Sequence, residues 1–184
     1  LCGGSRPHFF RGVATVVTKL FHATVPDRAY FGQKDGQQAT IIRRMARDLD
    51  FGIEIRVMPI VREADGLALS SRNAYLGTED RQNALAISRS LFAAKELMEQ
   101  GETDARTVIN AVRDGMKHLK IDYVSIVDAE TMAPVDRIAG KVMLAAAAWL
   151  GETRLIDNIT FDGTVGGTRA RATVFRTTDR QHTF

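Results

Sequence analysis

Apolar and polar positions change period along this chain, and each change predicts a different element. Val13, Val16, Val17, Leu20 and Phe21 recur at i, i+3, i+4, i+7 and i+8, the spacing of an amphipathic helix. Pro26 and Asp27 break it. Arg28 to Phe31 reads as a short strand and Gly32 as a turn. A helix is expected from about Gly36 to Asp48, with Ile41, Ile42, Met45 and Leu49 as its apolar positions. Phe51-Gly52 is expected to close it, since glycine accepts a positive φ. Ile53, Ile55 and Val57 then alternate with Glu54 and Arg56, as in a strand with one wetter face. This alternation of helix and strand predicts part of a doubly wound α/β sheet.

Pro59 to Asn73 is long for a simple connection, and its residue types favour function. Thr78 is placed to cap a helix that Glu79 and Asp80 favour at its positive end. Ala84, Ile87, Leu91, Ala94 and Met98 form its apolar stripe, and Gly101 stops it. A further helix is expected from about Asp104 to Leu119, with Val108, Val112, Met116 and Leu119 inward. After Lys120 the period becomes extended. Ile121 to Val127, Lys141 to Leu150 and Thr153 to Phe161 read as three strands, the last two joined by a hairpin at Gly151-Glu152. Alanine favours helix, so the run Ala145–Ala148 is ambiguous. Flanking Val142, Leu144 and Trp149 and the hairpin turn make it a buried strand. Two helices followed by three antiparallel strands predict a separate α+β unit. The expected division is residues 1–72, residues 73–162 and a Thr/Arg-rich tail over 163–184 that is expected to be disordered apart from a strand stub at Thr173–Phe175.

Composition narrows the function classes. Apolar residues make up 45% of the 184, enough for a packed core, and no apolar run nears the ~18 residues of a membrane span. The net charge of +3 invites a nucleic-acid reading. It is local, however: residues 163–184 hold Arg169, Arg171, Arg176 and Arg180 against Asp179 alone, so the rest of the chain is neutral. Without an aromatic stacking platform, nucleic-acid binding is not supported. The single cysteine, Cys2, suits a reducing compartment, and the opening Leu1-Cys2-Gly3 shows no export signal, so a cytoplasmic location is expected. His8, His22, His118 and His182 have no metal-ligand spacing, and no protein metal site is expected. His22 is placed to meet the last carbonyls of its helix, and Glu63 and Asp65 read as turn and loop anchors.

Candidate chemistry lies in two stretches. Phe31-Gly32-Gln33-Lys34-Asp35-Gly36-Gln37-Gln38 spans a strand end, a turn and a helix start, where open α/β sheets bind ligands. Lys34 is a point charge suited to phosphate, Asp35 can accept from a sugar hydroxyl, and Gln38 presents an amide one turn into the helix. Leu69-Ser70-Ser71-Arg72-Asn73 offers two hydroxyls and a guanidinium in a row, which suits a polyphosphate or a leaving pyrophosphate. The spacing is not that of a P-loop. Either stretch alone reads as a polar surface loop; together, in an α/β context, they read as a site.

These stretches resemble the pantothenate synthetase family. The resemblance is carried by Arg11-Gly12-Val13-Ala14-Thr15-Val16-Val17, by Pro26 to Asp35, by Val61-Arg62-Glu63-Ala64-Asp65-Gly66 through Ser70-Ser71-Arg72-Asn73, and by Thr153-Arg154-Leu155-Ile156-Asp157-Asn158, and it runs from Leu1 to about Ile159. It implies the second part of a Rossmann-like nucleotidyl-transfer domain, followed by a small α+β domain with a three-stranded antiparallel sheet. It further implies ATP-dependent ligation of pantoate and β-alanine through pantoyl adenylate. On this resemblance Gly32 and Asp35 face the ATP ribose, Gln33 contacts ATP, Lys34 meets the phosphates, and Gln38 the pantoate. Val61 and Leu69 meet adenine through their backbones, while Ser70, Ser71 and Arg72 hold the phosphate chain. Lys34, Ser70, Ser71 and Arg72 form the catalytic set. Mg²⁺ is expected mainly on the ATP phosphates, and a homodimer in the complete enzyme. The family's His-x-Gly-His motif does not occur in residues 1–184, so the chain is expected to be a carboxyl-terminal portion, inactive alone. The family usually has His at the place of Phe9; here Arg6-Pro7-His8-Phe9-Phe10 stands instead. Other readings are a different adenylate-forming enzyme of the superfamily and a non-catalytic binding or dimerisation module.

Overall fold

A computed structural model describes Leu1 and residues 8–165. Helix α1 (Phe9–Thr24) turns its Val13, Val17 and Phe21 side towards α2 (Gly36–Asp48) and the strands β1 (Arg28–Gly32) and β2 (Glu54–Met58). Val16 and Leu20, expected in the same stripe, are exposed. The stripe is wider than the surface available to cover it. Strands β1 and β2 pair in parallel, from Arg28 opposite Glu54 to Gly32 opposite Met58, as a strand–helix–strand unit requires. Helix α2 runs from Gly36 to Asp48, as expected, with Phe51-Gly52 just beyond its end. Asp50 and Gly52 both have positive φ, and Leu49 lies outside the helix and exposed.

Helices α3 (Thr78–Glu99) and α4 (Ala105–Gly115) cover one face of an antiparallel sheet in the order β3 (Lys120–Asp128), β4 (Lys141–Leu150), β5 (Thr153–Asp162). Gly77, not Thr78, is the α3 N-cap, and Thr78 is the first helical residue. At the other end Gly101 has φ +104, and Glu102 N–H reaches back to the Leu97 carbonyl, closing the helix as expected. Helix α4 is capped by the Asp104 side chain, which accepts from Thr107 N–H at 2.6 Å. It stops at Gly115 rather than near Leu119. Gly115 lies against Ser90 of α3 so closely that a Cβ would overlap it, which makes this residue the close-approach point of the two helices. The alanine run is a strand, and Ala145 to Ala148 are all buried because both faces of β4 are covered. A two-residue turn, Gly151-Glu152, joins Leu150 to its partner Thr153.

Four ties hold the first part of the chain against this sheet. Thr40 Oγ1 donates to the Ala129 carbonyl at 3.4 Å. Asn158 reaches the turn after β1, Arg62 reaches Asp157, and Gly36 sits against Met143. Cys2, Arg6, Pro7 and the expected tail beyond residue 165 lie outside the described residues.

Candidate active site

Strand β1 delivers the chain into a single 3₁₀ turn, Gln33–Asp35, directly before α2. The turn lies on β5. The Asn158 carboxamide donates from Nδ2 to the Gln33 carbonyl at 2.8 Å and to the Lys34 carbonyl at 3.0 Å. Gly36 allows this approach: a Cβ there would stand 2.6 Å from Met143 Sδ and 3.4 Å from Asn158 Nδ2. With its backbone held, Lys34 projects a half-buried side chain that has no hydrogen-bond or ion-pair partner among the described residues. Its pKa lies below the ordinary 10.5, chiefly because burial disfavours the ammonium. Asp35 opposes that shift, Arg72 adds to it, and Asp157 opposes it.

The second stretch is a folded loop. Arg62 bridges Ala68 in antiparallel fashion, with Glu63 N–H on the Leu67 carbonyl at 2.8 Å and Leu69 N–H on the Val61 carbonyl at 2.9 Å. Val61 and Leu69 thus stand opposite each other at the open end of this pair, both exposed. Gly66, at φ +95, makes the reversal at its tip. Arg81 binds Glu63 at 2.7 Å and Asp65 at 2.6 Å, and Asn73 donates to Glu63 and to the Ala68 carbonyl. Glu63 and Asp65 are thus loop anchors, as expected. Hydrogen bonds from Asn73 and Arg81 hold the Glu63 carboxyl below its ordinary range, and the Leu67 N–H does so for Asp65. Ser70 caps the 3₁₀ turn Ser71–Tyr75 by accepting Arg72 N–H at 3.3 Å, which leaves its hydroxyl proton free to donate.

Between these pieces and the sheet lies a cleft of about 670 Å³, within the size range of small-molecule sites. Lys34, Asp35, Gln38, Ser70 and Arg72 line one side; Tyr123, Trp149, Arg154, Ile156 and Asn158 line the other. Of the expected site residues, Gly32, Gln33, Val61, Leu69 and Ser71 are not in the lining. Phe9 is, so the position where the resemblance leads one to expect His faces the cleft. Arg72 is exposed and, among the described residues, has no ion-pair partner. Two cations therefore stand within electrostatic reach of each other without full neutralisation, an arrangement that an anion would relieve.

The family model for pantoate-beta-alanine ligase matches residues 1–160. The chain belongs to that ligase family. It is 55% identical over 165 residues to the pantothenate synthetase of Moorella thermoacetica, covering 88% of this chain and 58% of that protein. With that of Thermotoga petrophila the identity is 56% over 164 residues, with coverage of 86% and 58%. The crystal structure of the Thermus thermophilus pantothenate synthetase matches at a TM-score of 0.82 and 42% identity, over 86% of this chain and 58% of that one. A pantoate-beta-alanine ligase from Francisella tularensis, solved with beta-gamma ATP and beta-alanine, matches at 0.62 and 30% identity, covering 90% and 55%. The chain thus spans about 58% of the length of the curated relatives it matches. The neighbours agree with the expected fold class, a Rossmann-like part followed by a small α+β unit.

Sequence reasoning gave no site role to Asp157 or Asn158, although both lie in a stretch that carries the ligase-family resemblance. Asp157 is 4% and Asn158 3% exposed. Neighbouring residues of a strand face opposite ways, so two adjacent buried polar side chains require polar partners on both faces. That pair, between Leu155-Ile156 and Ile159, was the available signal.

Proposed function

We propose that this chain contributes the ATP- and pantoate-contacting part of a ligase that joins pantoate to β-alanine. Pantoate carboxylate attacks the α-phosphorus of ATP; the new O–P bond forms as the bond to pyrophosphate breaks. The β-alanine amine then attacks the acyl carbon of pantoyl adenylate. A C–N bond forms, the C–O bond to AMP breaks, and the amine gives up a proton. The catalytic load is positioning and charge stabilisation. In this reading Lys34 and Arg72 balance phosphate charge, and Ser70 and Ser71 donate hydroxyls to the phosphate chain. Gly32 and Asp35 meet the ribose side, Gln33 contacts ATP, the backbones of Val61 and Leu69 read adenine, and Gln38 orients pantoate. The division at residues 72/73, a cytoplasmic location and a homodimer of the complete protein belong to the same reading.

The observation that carries it is the pair Lys34 and Arg72: two cations without ion-pair partners among the described residues, on one wall of a cleft. The Francisella relative was solved with beta-gamma ATP and beta-alanine, which supports the substrate classes. Among the described residues no three His, Cys, Asp or Glu side chains converge as a metal cage would require. No residue is therefore assigned to Mg²⁺, which is expected to enter with the ATP phosphates, and no step runs through it.

Calorimetric titration of ATP into this chain tests the reading. Lys34→Ala is expected to weaken binding at least about tenfold, the loss of one charge-assisted contact. In a protein of full family length the same change is expected to slow single-turnover pyrophosphate release by about 10²–10³-fold. An unchanged rate constant sinks the assignment. Residues 1–184 alone are expected to make no AMP from ATP, pantoate and β-alanine; robust turnover would overturn that part.

A further inference from the structure

We propose that Asp157 and Asn158 are positioning residues that set the spacing of the two ATP-contacting stretches, one from each face of strand β5. This rests on the ATP reading above. Asn158, on the cleft face, holds the carbonyls of Gln33 and Lys34, the very backbone from which Lys34 projects. Asp157, whose side chain leaves β5 on the other face although the residue also borders the cleft, takes both terminal nitrogens of Arg62 at 2.7 and 3.0 Å. Arg62 also donates to the Gly66 carbonyl at 3.1 Å and lies over the Phe92 ring at 4.8 Å. It follows Val61 directly, so the bidentate pair sets where the Val61–Leu69 edge stands.

The two ties share one backbone. Asp157 Oδ1 also accepts the Asn158 N–H at 2.8 Å, which links the residues to each other. A strand is a stiff element, and a register shift of one residue would exchange the two side chains between faces. The spacing between the phosphate turn and the adenine edge is therefore carried by a rigid dipeptide rather than by the long loop between them. Neither residue needs to touch ATP. Gly36 belongs to the same device, since any side chain there would press on Met143 and the Asn158 amide.

The test separates the two ends of the nucleotide. Affinities of the folded chain for ATP, AMP and inosine triphosphate are measured by calorimetry, with thermal melts to confirm folding. Asn158→Ala is expected to lower ATP affinity roughly fivefold to tenfold while lowering AMP affinity less, so the ATP/AMP ratio falls. Asn158→Ser, which keeps one donor, is expected to recover part of the ratio. Gly36→Ala is expected to shift it in the same direction without altering Asn158. Arg62→Lys keeps the charge but loses the two-pronged contact; it is expected to reduce the ATP/inosine triphosphate ratio and leave the ATP/AMP ratio in place. If every variant weakens all three nucleotides equally, the residues are merely structural and the proposal falls while the ATP reading stands. If the unaltered chain binds none of the three, the ATP reading fails and takes the proposal with it.

Discussion

The sheet β3–β5 with helices α3 and α4 centres one apolar cluster of twenty-one buried residues, whereas the apolar cluster between α1, α2 and the pair β1–β2 has three buried members, Phe21, Ile42 and Ala46. Stability therefore lies mainly in the later part. The earlier part leaves Val16, Leu20, Tyr30 and Met58 exposed and takes its placement from polar ties and one close glycine contact. The candidate site sits on the seam between the two. A thin unit supplies Lys34 and Gln38, and a thick one holds the Gln33-Lys34 backbone. Positioning and stability are thus separable properties here, which the following changes probe.

The largest effect is expected in the thick core. Leu144 is fully buried, and Leu144→Ala is expected to cost about 3–5 kcal/mol through lost transfer energy and a residual cavity, read as a lower urea midpoint. Ile42→Ala, in the thin cluster, is expected to release amide protection from α1 to β2 and leave α3 to β5 protected. Equal loss of protection throughout would show that both parts unfold as one.

Next comes the seam. Asp157→Ala leaves Arg62 without a carboxylate, with only the Gly66 carbonyl and the Phe92 ring beside it in a largely covered site. The expected cost is about 2–3 kcal/mol, below the ~3–5 kcal/mol of a fully buried pair because Arg62 keeps some contact with water. Denaturant melts check this; a change within error would mean that the pair adds nothing beyond geometry.

The smallest effect concerns acid. Glu63 and Asp65 have folded pKa values below their ordinary 4.5 and 3.8, so their contribution is full above those values and fades as pH falls through the lowered ones. Exchange of the Leu67 amide, which Asp65 accepts at 3.2 Å, is expected to quicken over that acid range before the core opens. Lys34 shifts stability in the same sense but for the opposite reason. Its charged form is disfavoured in the fold, so the ligand-free chain gains stability as pH rises from its lowered pKa towards 10.5, while ATP affinity falls over the same range. A pH-independent affinity would remove Lys34 from the phosphate contact.

Local pattern alone determined much of this protein. Period and turn residues located every α-helix and strand between residues 9 and 162, including the alanine-rich β4 and its hairpin, because those signals act within a few residues. The turn at Lys34 and the Ser70–Arg72 stretch were legible for the same reason. Tertiary structure decided the rest. Helix α4 stops at Gly115, where α3 crosses it, and a bulge after Ile121 places Asp122 to receive Arg154 at 2.6 Å. The residues that hold the site together were hidden from local pattern. Asp157 finds Arg62 at a separation of 95 residues and Asn158 finds Gln33 at 125. Periodicity reports which side of an element is buried, but not which distant polar group will meet it there. Only packing the two parts against each other brings those partners within hydrogen-bond reach.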